Sequence, residues 1–245
     1  MLALGACGQK EAAETVDAEG LDMVAQAVAD EMNEAPAAIQ LLLRQSAERP
    51  QVGWDTLNIG VGGQAYPVGA WLYRHGYLSL AGTQYVTRPV FALTEKSRTL
   101  LQSPDQPWFE AQAGEATDVN CGTEAALNAG GCEVEVVVTP SLTPAGRAAL
   151  GSPKMEPMTV RAVVAVAEDG WAVPTWGAVG ATPLDIALTL ILGPENGREA
   201  AGKAVLKEVG ASLGLDGETP EAAAASQPYQ PPNYVEPPPP VAPID

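Results

Sequence analysis

Arg88-Pro-Val-Phe-Ala-Leu-Thr-Glu-Lys-Ser-Arg-Thr-Leu-Leu101 is the stretch on which a reading of this chain turns. Residues 85–93, YVTRPVFAL, carry the β-branched and aromatic side chains of an extended segment. Thr94 then stands where a helix cap belongs, with Arg98, Leu100 and Leu101 behind it. The phrase returns in Ser141-Leu-Thr-Pro-Ala-Gly-Arg147 and runs on to Pro153. Shifted by 49 residues, Leu93, Thr94, Arg98, Leu101, Ser103 and Pro104 match Leu142, Thr143, Arg147, Leu150, Ser152 and Pro153. Each copy follows a strand-like run, and Pro144 suits the first position of a helix capped by Thr143. Two readings stand, a decayed internal repeat or one local solution reached twice, since no third copy is visible.

Outward toward the N-terminus, residues 21–33 place Leu21, Val24, Ala25, Val28 and Met32 at helical spacing with acids on the other side. Pro36 fits the first turn of a second helix, in which Ile39, Leu42 and Leu43 form the apolar side until Glu48-Arg49-Pro50. Residues 53–63, GWDTLNIGVGG, hold four glycines without the spacing, preceding strand or following Lys-Ser/Thr of a phosphate loop. They read as a tight connection with one short strand at 56–59. A third helix over 68–75 runs into Gly76-Tyr-Leu-Ser-Leu80.

Three helices, a β-ribbon and another helix is the order of a winged-helix domain. Trp71-Leu-Tyr-Arg-His-Gly-Tyr-Leu78, followed by Arg88 to Leu101, resembles the third helix, wing and closing helix of winged-helix proteins, with Ser97 where their terminal pattern usually has Gly. The resemblance covers residues 21–103. For a cytoplasmic protein it implies DNA binding through a recognition helix.

Residues 105–217 read as a small antiparallel-sheet and helix domain. Strand signals lie at 133–139 and 159–166, and a turn at Glu168-Asp169-Gly170 leads into Trp171-Ala-Val-Pro-Thr-Trp176 as a hairpin. Residues 184–192 form an apolar helix stopped by Gly193-Pro194, and 198–213 a polar one interrupted by Gly202 and Gly210. The fold class expected is therefore α+β: a flexible acidic linker over 1–20, a winged-helix-like module over 21–104, an α+β domain over 105–217 and a disordered tail over 218–245. In that tail, proline density excludes helix interiors and sheet ladders and favours polyproline II. It reads as an inert spacer or as a ligand for an aromatic-lined groove, with Tyr229 and Tyr234 available to such a groove.

The formal net charge is −17, a balance that repels phosphate backbones and anionic lipid. Its distribution is uneven. Residues 51–104 hold Arg74, Arg88, Lys96 and Arg98 against Asp55 and Glu95, whereas residues 105–135 hold acids and no base. Those few cations are a small phosphate footprint, so nucleic acid is not expected as a partner. Trp54, Tyr66, Trp71, Tyr73 and Tyr77 cluster in the same least acidic segment, beside Arg74 and Arg88. These seven residues are the candidate partner-binding set, as core filling or as a partly exposed hot spot.

Cys121 and Cys132 read as a disulfide, which closes a short loop for about 2–3 kcal/mol and persists in an oxidising compartment. Two thiolates and one imidazole, His75, fall short of a structural zinc site. Oxygen ligands around 115–124 lack the spacing of the twelve-residue calcium cage. His75 at a helix end has no sequence-identifiable nucleophile or orienting acid, and pairs such as Asp118 with Glu124 or Glu168 with Asp169 carry little weight in so acidic a chain. No catalytic residue, metal or cofactor is expected.

Leu4-Gly5-Ala6-Cys7 resembles the cleavage and lipidation site of bacterial lipoproteins. The resemblance implies acyl chains on Cys7. Gly8 follows in place of the aspartate that retains many such proteins in the inner membrane, which points to the outer membrane, periplasm-facing. Residues 1–6 supply only the end of an apolar signal, so either the start lies upstream of Met1 or Cys7 is an ordinary thiol. Beyond them no run approaches the roughly 18 apolar residues of a membrane span, leaving lipid as the attachment. The expected function is a non-enzymatic envelope lipoprotein that binds an envelope protein or a cell-wall component. The alternatives are a cytoplasmic winged-helix DNA-binding regulator and a hydrolase using acids of the second domain.

Overall fold

A computed structural model describes residues 16–84, 88–102, 106–168 and 170–214. Cys7, the linker up to residue 15 and the 218–245 tail lie outside the described residues. The architecture is a mixed α+β fold of helices and antiparallel sheets.

Helix α1, Ala18–Ala47, opens at Asp17, whose carboxylate accepts the Gly20 N–H at 3.1 Å. It corrects the expected break at Pro36. The proline forfeits one backbone hydrogen bond, yet Val24, Val28, Met32, Ala35, Ile39 and Leu43 form one buried stripe that runs past it without a phase change. Burying each large member is worth about 1.5–3 kcal/mol, enough to hold the helix through the proline.

After α1 come the two-residue strand β1 (Val52–Gly53), a 3-10 turn over Trp54–Thr56, and a hairpin of β2 (Asn58–Val61) and β3 (Gln64–Pro67). The glycine-rich connection expected with one strand is therefore a two-strand hairpin. Gly62 and Gly63, at φ 58° and 79°, supply the left-handed pair that a tight hairpin turn requires. Helix α2 (Gly69–Arg74) leads to β4 (Leu78–Gln84) and β5 (Arg88–Leu93), and β5 lies between β1 and β4. Helix α3, Glu95–Leu101, follows. Two helices precede the β4–β5 ribbon, where three were expected.

Strands β6 (Phe109–Asn120), β7 (Gly131–Leu142), β8 (Met158–Ala167) and β9 (Gly170–Ala178) form an antiparallel meander. Val134, Val136, Val138, Val160, Ala162 and Val164 are buried on one face. Helix α4 (Glu124–Ala129) sits in the β6–β7 connection, spanned by the disulfide between Cys121 and Cys132. Helix α5 (Pro144–Leu150) follows β7. Helix α6 (Pro183–Leu192) packs on α1, and α7 (Glu195–Ser212) runs unbroken through Gly202 and Gly210. Gly202 leaves space for Trp54, whose ring would lie 3.8 Å from an added Cβ, and Gly210 is buried.

The buried side chains form one continuous cluster, drawn from both the 21–104 and the 105–217 stretches. At its centre Trp71 stacks on Tyr77 at 5.2 Å and meets Trp108 at 6.0 Å. The two matching sequence phrases form equivalent corners. Thr94 donates its N–H to the Tyr77 carbonyl at 3.1 Å and its hydroxyl to that of Gly76 at 2.6 Å. Thr143 does the same to Trp108 at 3.0 Å and Pro107 at 2.6 Å. Three residues on, the Ser97 hydroxyl donates to the Tyr77 carbonyl, while Gly146 has only its bare Cα against the Trp108 carbonyl. Thr143 also accepts the Gly146 N–H and so caps α5, whereas the Thr94 side chain makes no such cap on α3.

Candidate functional site

A cleft of about 610 Å³ opens between the 3-10 turn, the β2–β3 hairpin and the β1 side of β5. Short bonds set the turn that forms its floor. Thr56 donates to the Gly53 carbonyl at 2.7 Å, Asn58 donates to that of Asp55 at 2.8 Å, and Leu57 N–H closes on the Trp54 carbonyl at 3.0 Å. Trp54 is thereby held half-buried, its ring tilted on Phe91 at 5.6 Å. Gly69 lets that ring rest on the start of α2, because a Cβ there would stand 3.0 Å from it.

Around Trp54 the cleft collects hydrogen-bond donors. Arg49 and Arg88 are exposed, and among the described residues neither guanidinium pairs with a carboxylate. The amides of Gln51 and Gln84 also line it, with no partner among the described residues, and the Trp54 indole N–H likewise has none. Asp55 is the one acid in the lining. Leu57, Pro67, Pro89, Val90 and Leu206 complete an apolar wall. An apolar, aromatic concavity with a few convergent polar groups is the ordinary form of a binding site.

The seven residues singled out in the sequence separate in space. Trp54 and Arg88 meet in this cleft. Trp71 and Tyr77 are core residues, and burial pushes the Tyr77 hydroxyl above its ordinary pKa. Tyr73 is half-buried with its ring edge-on to Phe91 at 5.8 Å, and Tyr66 lies beneath the Arg198 guanidinium at 5.4 Å. Arg74 lines a second hollow of about 210 Å³ with His75, Arg198 and Trp71. Arg49, Gln51 and Gln84 are members of the main cleft that the sequence did not single out.

The His75 Nδ1 lies 2.9 Å from the Trp71 carbonyl and its ring stacks on Trp71 at 4.8 Å, with no carboxylate or hydroxyl nucleophile bonded to it among the described residues. A third hollow, lined by Asp118, Asn120, Thr123, Glu133, Glu135 and Arg161, is crossed by the Arg161–Glu135 ion pair at 3.0 Å. Among the described residues no group of three His, Cys, Asp or Glu side chains is placed to hold a metal ion. No described helix is long and apolar enough to cross a membrane.

Comparison with known proteins places the chain in no group: no family model matches it, and no curated protein or solved structure matches at a significant level.

Proposed function

We propose that this protein is a binding or assembly component of a bacterial envelope, anchored by lipid on Cys7, facing the periplasm, with the Trp54 cleft as its ligand site. The observation that carries the binding role is the cleft itself: a half-buried indole flanked by Arg49 and Arg88 in a chain of net charge −17. Concentrating unpaired donors on one aromatic floor serves recognition of an acceptor-rich partner better than it serves bond cleavage. The Cys121–Cys132 disulfide supports an oxidising compartment. The order of α2, the β4–β5 ribbon and closing helix α3 supports a winged-helix-like reading of the first half, used for protein contact, since a fold does not fix its function. Lipid and linker would raise the local concentration of the cleft for its partner.

The test places a photoreactive benzoylphenylalanine at Gln51, on the cleft rim, and at exposed Lys154, which does not line it, in cells of the native bacterium. The expected result is a discrete adduct from position 51 that is lost when Arg49 and Arg88 are both changed to Glu and is absent from position 154. Equal labelling from both positions, or none from 51, contradicts the reading.

A further inference from the structure

We propose that the segment Glu236-Pro-Pro-Pro-Pro240 of this same chain docks in the Trp54 cleft and competes there with any external ligand. The proposal rests on reading that cleft as a ligand site, and names its resident occupant.

The chemistry of the two surfaces is complementary. Trp54, Arg49, Arg88, Gln51 and Gln84 all line the cleft and bring indole, guanidinium and amide donors to it, with Asp55 the one acid in the lining. A proline run is the converse. It has carbonyl acceptors, no backbone N–H of its own, and, in polyproline II, carbonyls that make no internal hydrogen bonds and face outward. Proline rings also pack flat on an indole, the mode by which aromatic-lined grooves take proline-rich chains. Charge points the same way. Residues 215–245 contain Asp216, Glu218, Glu221, Glu236 and Asp245 and neither lysine nor arginine. Glu236, directly before the four prolines, offers a carboxylate to guanidiniums that have none among the described residues.

The chain has the reach. Leu206 of α7 lines the cleft, and α7 ends six residues later at Ser212, about 9 Å further along its axis. From Gly214 to Glu236 there are 22 residues, which span up to about 70 Å as polyproline II. Docking on the same molecule is thus an intramolecular event, favoured by a high effective concentration. A partner must displace the segment, so the tail sets the threshold for binding.

The experiment uses the purified full chain with benzoylphenylalanine at Gln51, irradiated over a range of concentrations, with adducts mapped by mass spectrometry. The expected adduct joins position 51 to a peptide within residues 228–245, at a yield independent of concentration. It falls about tenfold, equivalent to about 1.4 kcal/mol, when Pro237, Pro238, Pro239 and Pro240 are all changed to Gly. A yield that rises with concentration assigns the occupant to a second copy and overturns docking in cis. Absence of any tail adduct, or a yield indifferent to the four substitutions, overturns the proposal. If cells still yield an adduct from position 51 to another envelope component, only the tail proposal falls and the cleft keeps its role.

Discussion

Asn33 clamps the backbone of Phe109 from both sides: its Oδ1 accepts the Phe109 N–H at 3.0 Å and its Nδ2 donates to the Phe109 carbonyl at 2.8 Å. The same Oδ1 takes the Trp108 N–H at 2.8 Å, and Nδ2 reaches back to the Ala29 carbonyl at 2.8 Å. All four hydrogen-bonding positions of one amide are filled, and the start of β6 is fixed against α1. Asn33→Ala leaves two backbone donors at the edge of the core without that acceptor, an expected loss of about 1–3 kcal/mol in urea unfolding. Asn33→Asp keeps the acceptor but sets a carboxylate oxygen against the Ala29 and Phe109 carbonyls, so at pH 7 it should be no more stable than Ala.

The two corners respond differently to a single methyl group. A Cβ on Gly146 would lie 2.1 Å from the Trp108 carbonyl oxygen, so Gly146→Ala forces backbone apart, an expected cost at the upper end of overpacking, about 3 kcal/mol. At the equivalent position Ser97→Ala keeps its Cβ and loses one hydroxyl bond to the Tyr77 carbonyl. Because that carbonyl still accepts the Thr94 N–H, the expected cost is about 1 kcal/mol. Thermal unfolding of the two variants checks the ordering, and equal losses would contradict it.

Removing the disulfide as Cys121→Ser with Cys132→Ser should lower stability by about 2–3 kcal/mol, the loop-closure value for a separation of 11 residues. The wild type should lose a similar amount on reduction, measured as a shift in the urea midpoint, and the double variant should be indifferent to reductant.

Glu31 supplies a pH dependence. Burial, partly offset by the Leu184 N–H, and then nearby Glu34 and Asp185, hold its carboxyl above the ordinary carboxylate range. The folded chain therefore keeps this proton more readily than the unfolded chain. Stability from this group is present at low pH and declines as pH rises from the ordinary carboxylate pKa through the raised one. Glu31→Gln should accordingly raise Tm at pH 7, with the gap to wild type closing on acidification. A gap that is constant from pH 3 to 7 would contradict this.

The sequence disclosed the elements whose residues carry a strong local period. Val134 to Val138 and Val160 to Val164 read as strands, Leu184 to Leu192 as a helix, and both Leu-Thr corners were visible at their spacing. Strand β6 was missed because its outward positions, including Glu110, Glu115 and Asp118, dilute the apolar alternation to alanines. Pro36 is a local break signal, whereas the buried stripe that carries α1 past it draws its stability from tertiary packing. The cleft was half visible. Trp54 and Arg88 stand out in the sequence by residue type, but they meet because Gly53 pairs with Val90 and Val52 with Phe91 across the sheet. That register, joining residues nearly 40 positions apart, has no local signal, so Arg49, Gln51 and Gln84 carried none either.

Intact mass with thiol counting, on protein purified without reductant from its native bacterium, tests the envelope assignment most directly. The expected species begins at Cys7, carries two or three acyl chains and shows no titratable thiol. An unacylated chain that retains Met1 and titrates three free thiols would contradict it.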